Sequence, residues 1–281
     1  MDVIRQPSDM QNWSRAQRTQ GKKIGLVPTM GMLHEGHLSL VRQAKEYCDL
    51  VVVSVFVNPI QFGAGEDFAS YPRDLSRDSS LLEKEGVDIV FAPEGRDMYP
   101  QGFGSFVETS GLDNKLCGKS RPGHFRGVTT VVSKLFNICL PDVAVFGQKD
   151  AQQVMIIEKM VRDLDFPVQI LRGPIVREPD GVAMSSRNAY LKATERADAT
   201  VLSRSLTMAQ GLIEAGARNP SIVKDAMIEA ISQVPGARID YIEILNGNDL
   251  SGLEQIEGKV LIALAVKFGG ARLIDNVLVE V

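Results

Sequence analysis

Short, uniformly apolar runs alternate with amphipathic stretches through the first two thirds of the chain, and few architectures satisfy that rhythm. Ile24–Val27 predicts a buried strand, followed by a turn and the amphipathic HLSLVRQAKEYC. Leu50–Val57 is β-branched and apolar throughout, as expected of a strand covered on both faces. DLSRDSSLLEKEG reads as a helix closed by Gly86 at its C′ position. VDIVFAP, Val143–Gly147 and Val168–Gly173 give three more strands. Strands alternating with helices imply right-handed βαβ units, hence an α/β fold built on a doubly wound parallel sheet. After Ser186 the texture changes. Two helical stretches, Thr194–Ala215 and Pro220–Gln233, precede three strand-like runs, the last two flanking the hairpin signal Gly269-Gly270. That order predicts a second, smaller α+β domain. Pro174, Pro179 and Gly181 break regular structure between Gly173 and Ser186, so the division is set at 1–175 and 176–281.

A length of 281 residues agrees with roughly two domains. At 44% hydrophobic and 23% charged, the composition excludes a disordered tail, a disulfide knot and a collagenous rod. The formal charge of −4 offers no surplus of cations for non-specific nucleic-acid binding. Cys48, Cys117 and Cys139 are odd in number and widely spaced, which reads as free thiols in a reducing compartment. The first residues carry charges and lack the apolar stretch of a signal peptide, and the longest clean apolar run, Val260–Val266, is far short of a membrane span. The expectation is a cytoplasmic protein without a membrane partner.

Ligands of open parallel sheets sit outside the carboxyl ends of the strands. Just after the first such strand lies PTMGMLHEGH, with His34 and His37 three apart and Gly31 and Gly36 between flexible turns and a helix start. A helix N-terminus presents unpaired N–H groups that suit phosphate, and a neighbouring anion would favour protonated imidazoles. A zinc pair and a surface pair with an N-capping role are the alternatives. His-Glu-Gly-His lacks HExxH spacing, and zinc needs a third protein ligand. Gly147-Gln148-Lys149-Asp150 directly follows another strand: Lys149 would be a point charge at the sheet edge, and Asp150 either accepts from a ribose or caps the next helix.

Met184-Ser185-Ser186-Arg187-Asn188 reads as a polyphosphate clamp or as an exposed polar loop capping a helix. Asn58-Pro59-Ile60-Gln61-Phe62 supplies amides that orient carboxylates and hydroxyls, or a structural turn. Asp74 and Asp78 share a helical face and fit either Mg²⁺ through water or a solvated helix start. Arg121 and His124, in SRPGHFRG, form a small cationic loop. No GxSxG elbow, Walker A or complete GxGxxG occurs, so covalent catalysis through Ser or Cys has no support.

PTMGMLHEGH, VNPIQF, RPGHFRG, FGQKDAQQ and AMSSRN occur collinearly over most of the chain. Together they resemble the pantoate–β-alanine ligase family of the HxGH nucleotidyltransferases, whose core is Rossmann-like. The resemblance implies that pantoate attacks the α-phosphorus of ATP, and that β-alanine then displaces AMP from pantoyl adenylate to give pantothenate. It places ATP on Met30, Gly31, Met32, Leu33, His34, Glu35, Gly36 and His37, on Gly147, Gln148, Lys149 and Asp150, on Val176, and on Met184, Ser185, Ser186 and Arg187. It makes His37 the candidate proton donor, with His34, Lys149 and Arg187 stabilising charge, Gln61 touching pantoate and β-alanine, and Gln153 touching pantoate. It further implies Mg²⁺ with ATP, for which Asp78 is the candidate ligand, and a homodimer. Gln148 stands where many relatives carry Glu, harmless for a backbone role and harmful for a metal role. Rival readings are another HxGH nucleotidyltransferase, which forms no amide, and a non-catalytic nucleotide sensor.

Overall fold

A computed structural model describes all residues, 1–281. The amino-terminal portion runs β1 (Asp2–Ile4), α1 (Pro7–Thr19), β2 (Ile24–Thr29), α2 (Glu35–Tyr47), β3 (Leu50–Val55), α3 (Leu75–Lys84) and β4 (Ile89–Phe91). It continues through α4 (Gly95–Met98), α5 (Leu116–Ser120), α6 (His124–Cys139), β5 (Val143–Gly147), α7 (Ala151–Asp163) and β6 (Gln169–Gly173). Three helices follow, α8 (Ala193–Asp198), α9 (Val201–Glu214) and α10 (Pro220–Ser232), and then β7 (Ala237–Asn246), β8 (Lys259–Phe268) and β9 (Ala271–Glu280).

The first six strands form one all-parallel sheet in the order β1-β4-β3-β2-β5-β6. From β2 the chain builds outward through β3 and β4, then returns to place β5 on the other flank of β2. The winding therefore reverses between β2 and β5, and a crevice opens beyond their carboxyl ends. Helices α6 and α7 contribute to the core on one face; α2, with Leu38, Val41 and Ala44, packs on the other. Both faces being covered explains why β3 carries four consecutive fully buried residues.

The antiparallel sheet β7-β8-β9 is also covered twice. Val260, Ile262, Leu264 and Val266 of β8 pack with α9 and α10, whereas Leu261 and Ala263 belong to the core that also covers the parallel sheet. That accounts for the unbroken apolar run at Val260–Val266. Gly269 and Gly270 make the two-residue connection to β9, with Gly269 at φ +53°.

Three details differ from the sequence reading. β1 is an additional edge strand, too short to show a period. The stretch 194–215 is two helices, because Ala199 and Thr200 tighten toward a 3₁₀ turn that buries Ala199. SRPGHFRG is no loop beyond Gly123, since α6 begins at His124. The three cysteines are free, Cys117 and Cys139 being buried and Cys48 half-buried. No helix is long and apolar enough to cross a membrane.

Candidate active site

The crevice holds a cleft of about 200 Å³. One wall is the turn leaving β2. There the backbone N–H of His34 donates to Nδ1 of His37 at 3.3 Å, which puts the proton of a neutral His37 on Nε2. The two rings lie 4.1 Å apart between centroids. Gly36 makes room for them: a Cβ there would stand 3.0 Å from the His34 ring. Nδ1 of His34 is buried without a protein partner. Burial lowers the His34 pKa to about 4, with Lys149 adding to the effect. His37 is lowered well below its ordinary value by burial, then by His34 and Lys149. Without an anion nearby both imidazoles are neutral N–H donors rather than cations.

The second wall is the turn after β5. Asp150 occupies the N-cap position of α7 but accepts no capping hydrogen bond, so its carboxylate stays available, 3.7 Å from Lys149 Nζ. A third wall is the arm after β6, folded back so that the N–H of Met184 donates to the carbonyl of Val176 at 2.9 Å. The tip of this arm is latched to the segment between β3 and α3. Ser186 Oγ and Tyr71 Oη are 3.0 Å apart, and Arg187 donates from Nε and Nη2 to Asp67 at 3.1 and 3.0 Å. Arg187 also lies over the Tyr71 ring, leaving Nη1 as its uncommitted end.

The far end of the cleft is apolar, lined by Phe56, Val128, Val131 and Leu135 with Gln61 and Gln153 among them. Asn58 fixes the Gln61 carboxamide by donating to its Oε1 at 2.9 Å, and Tyr99 in turn donates to Asn58 Oδ1 at 2.7 Å. This turn lies directly on α6 because residue 127 is glycine; a Cβ there would come within 2.4 Å of the Ile60 carbonyl oxygen. Arg121 and His124 hold the same turn from behind. His124 Nδ1 donates to the Gln61 carbonyl at 2.8 Å, and its Nε2 accepts from Arg121 at 2.9 Å. Burial and the Arg121 charge lower the His124 pKa to about 4.

Met30, His34, Gly36, His37, Gly147, Lys149, Asp150, Val176, Met184, Ser185, Ser186, Arg187, Gln61 and Gln153 thus share one cleft. The other expected nucleotide contacts do not line it. Leu33 is core, and Glu35 pairs with Arg42 at the surface. Gly31 and Met32 pass over Asp78, and Gln148 turns away to Asn276. Asp78, the expected metal ligand, lies outside the cleft: its oxygens accept the N–H groups of Met32 and Leu33, each at 2.8 Å, and the residue is fully buried. Burial raises its pKa despite those bonds. It braces the histidine turn and is not a solvated helix start. Nowhere do three His, Cys, Asp or Glu side chains cluster to hold a metal. Sequence reasoning missed Asp67, Tyr71, Tyr99, Arg177 and Asn276. Only Asp275-Asn276 left a trace, two adjacent polar residues inside an apolar strand.

The family model described as Pantoate-beta-alanine ligase matches residues 2–278. A pantothenate synthetase of Syntrophomonas wolfei is 64% identical over 282 residues, covering 100% of both chains. One of Heliobacterium modesticaldum is 57% identical over 281 residues, again covering 100% of both. Among solved structures, a pantothenate synthetase of Thermus thermophilus superposes with a TM-score of 0.94 at 43% identity, covering 99% of each chain. A pantoate-beta-alanine ligase of Francisella tularensis, complexed with beta-gamma ATP and beta-alanine, gives a TM-score of 0.80 at 35% identity, covering 99% of this chain and 97% of that one.

Proposed function

The chain belongs to the pantoate–β-alanine ligase family, a family of ATP-dependent ligases, and we propose that its cleft joins the two substrates through pantoyl adenylate. One observation carries this reading: a polar end with paired imidazoles and Lys149 opens into an apolar end with two carboxamides. A triphosphate suits the first end. Pantoate suits the second, its geminal methyls on Val128, Val131 and Phe56 and its hydroxyls and carboxylate within reach of Gln61 and Gln153.

In the first step a pantoate carboxylate oxygen bonds to the α-phosphorus, and the bond from that phosphorus to the bridging oxygen breaks, releasing pyrophosphate. Charge builds on the equatorial and departing oxygens. His37, with its Nε2–H pre-set by the backbone, and Lys149 donate there without reorganising. In the second step the amine of β-alanine attacks the acyl carbon, the acyl–oxygen bond breaks, AMP leaves, and the ammonium proton is lost. Mg²⁺ would arrive on ATP and neutralise phosphate charge, and Asp150, whose carboxylate makes no capping bond, would be the residue to help hold it.

The division into residues 1–175 and 176–281, homodimerisation and a cytoplasmic location complete the proposal, supported by the family resemblance; light scattering tests the dimer. The central test is pantoate-dependent exchange of labelled pyrophosphate into ATP without β-alanine, followed by pantothenate formation when β-alanine is added. Exchange independent of pantoate, or none, refutes the adenylate route. An HxGH nucleotidyltransferase of another kind would yield no amide, and a nucleotide sensor neither signal.

A further inference from the structure

Asp275 and Asn276 lie in the middle of β9, both buried, between the apolar Ile274 and Val277. Successive side chains of a strand point to opposite faces, and these two reach different walls of the cleft. Asn276 crosses to the first domain. Its Nδ2 donates to the carbonyls of Gln148 and Lys149, each at 3.0 Å, and its Oδ1 accepts from Gln148 Nε2 at 3.0 Å. Asp275 reaches the arm, where its carboxylate accepts from Arg177 Nη1 at 2.6 Å and Nη2 at 3.0 Å. Arg177 is one residue beyond Val176, and its Nη1 also donates to the Gly181 carbonyl at 3.0 Å, which closes the arm on itself. The two halves are joined in turn, since Asp275 Oδ1 accepts the N–H of Asn276 at 2.8 Å.

We propose that Asp275-Asn276 is a positioning unit of the C-terminal sheet that sets the spacing between Lys149 and the 176–187 arm, and with it the affinity for ATP. The inference rests on the nucleotide occupying this end of the cleft. It follows from what each side chain can satisfy. A carboxamide alone supplies the two donors and one acceptor that the turn requires; a carboxylate at 276 would face two carbonyl oxygens, and an aliphatic side chain would leave them unpaired. At the pantoate end Gln61 is held apart from this unit, by Asn58, Tyr99 and α6, and only Gln153 stands on the helix that follows the Lys149 turn.

The test compares wild type with Asn276→Leu and Asp275→Asn, well below their melting temperatures, by calorimetric ATP titration and by steady-state kinetics. A misplacement of about an ångström can cost on the order of a hundredfold in catalytic positioning, and ATP affinity and KM should here worsen about tenfold or more. The KM for pantoate should stay within about twofold, and adding Gln148→Ala to Asn276→Leu should cost little more, because both remove one contact. Unchanged ATP affinity with only a lowered Tm in both variants overturns the inference, as does an equal rise in both KM values. Because ATP titration needs no turnover, a wild type that binds ATP yet shows no pantoate-dependent exchange would defeat the reaction scheme separately. If one variant does not fold, the other decides.

Discussion

Acidification from pH 7 to pH 5 should destabilise the protein before any carboxylate of depressed pKa is protonated. His34 and His124 have pKa values of about 4 in the fold against 6.5 ordinarily. Between those values the unfolded chain binds protons that the folded chain refuses, so stability is full above about pH 6.5 and falls as pH drops toward 4. For one such group the loss between pH 7 and pH 5 is about 2 kcal/mol. His34 is partly exposed, and solvent screening trims its share, so the two together should cost about 3 kcal/mol, with His37 adding in the same direction. Glu66, held at about 2 by Arg121, does not titrate in this window.

The assay is urea unfolding at half-unit pH steps, with His124→Gln and His34→Gln each expected to flatten part of the slope. ATP should oppose the trend, because a phosphate beside His34 favours its protonated form. Binding at pH 6 should therefore take up protons, visible as a buffer-dependent calorimetric heat. A stability that is flat or rises from pH 7 to pH 5 would refute the reasoning, for it would mean that the imidazoles are not confined as the geometry requires.

Three further outcomes follow from the same geometry. His37→Ala and Lys149→Ala should each lower turnover at least about a hundredfold with the fold intact by circular dichroism, since one preorganised donor is typically worth about 2.7–4 kcal/mol of barrier. Asp78→Asn should lower unfolding free energy by about 1–3 kcal/mol through loss of one braced N–H, while the Mg²⁺ dependence of the rate stays at wild type; a shifted metal requirement would restore Asp78 as a ligand. ATP should protect residues 174–188 from limited proteolysis, and Asp67→Asn, which weakens the latch on Arg187, should raise cleavage in the absence of nucleotide; unchanged cleavage in both experiments would argue against a moving arm.

What the sequence disclosed was whatever its own neighbours determine. Leu50–Val55 and Val143–Gly147 announce themselves as strands because each is covered on both faces and is apolar along its length. The histidine turn and the Lys149 turn were legible because each follows such a strand, and the reversal of winding between β2 and β5 brings them to one rim. Asp2–Ile4, with two of its three residues exposed at a sheet edge, carries no such mark. Asp78 misled for a related reason: in a charged segment its spacing from Asp74 reads as solvent-facing, and only the return of residues 32 and 33, 46 and 45 positions away, buries it. The fastenings of the cleft are more distant still. Arg187 meets Asp67 across 120 positions and Asn276 meets Gln148 across 128. No local period encodes such pairs.

Those two fastenings also differ in how easily they would open, which bears on how water would be kept from the activated carboxylate of the proposed route. The C-terminal sheet is not merely hydrogen-bonded to the first domain. Leu250, Leu261 and Ala263 lie within its apolar core, with Tyr241 and Ile274 packed against it. Re-exposing Leu250 and Leu261 alone would cost about 2 kcal/mol each, and the Asn276 bonds would be lost besides. The latch is lighter. It consists of one hydroxyl pair, one partly exposed Arg187–Asp67 pair and the stacking of Arg187 on Tyr71 between two connecting segments, contacts typically worth about 1 kcal/mol or less each. Were the arm to open at the latch, substrates would enter at a fraction of the cost of parting the two sheets. The Asn276 bonds to the Lys149 turn and the Arg177–Asp275 pair at the base of the arm would stay in place while only its tip moved, so the lysine of the proposed phosphate site would be set before closure.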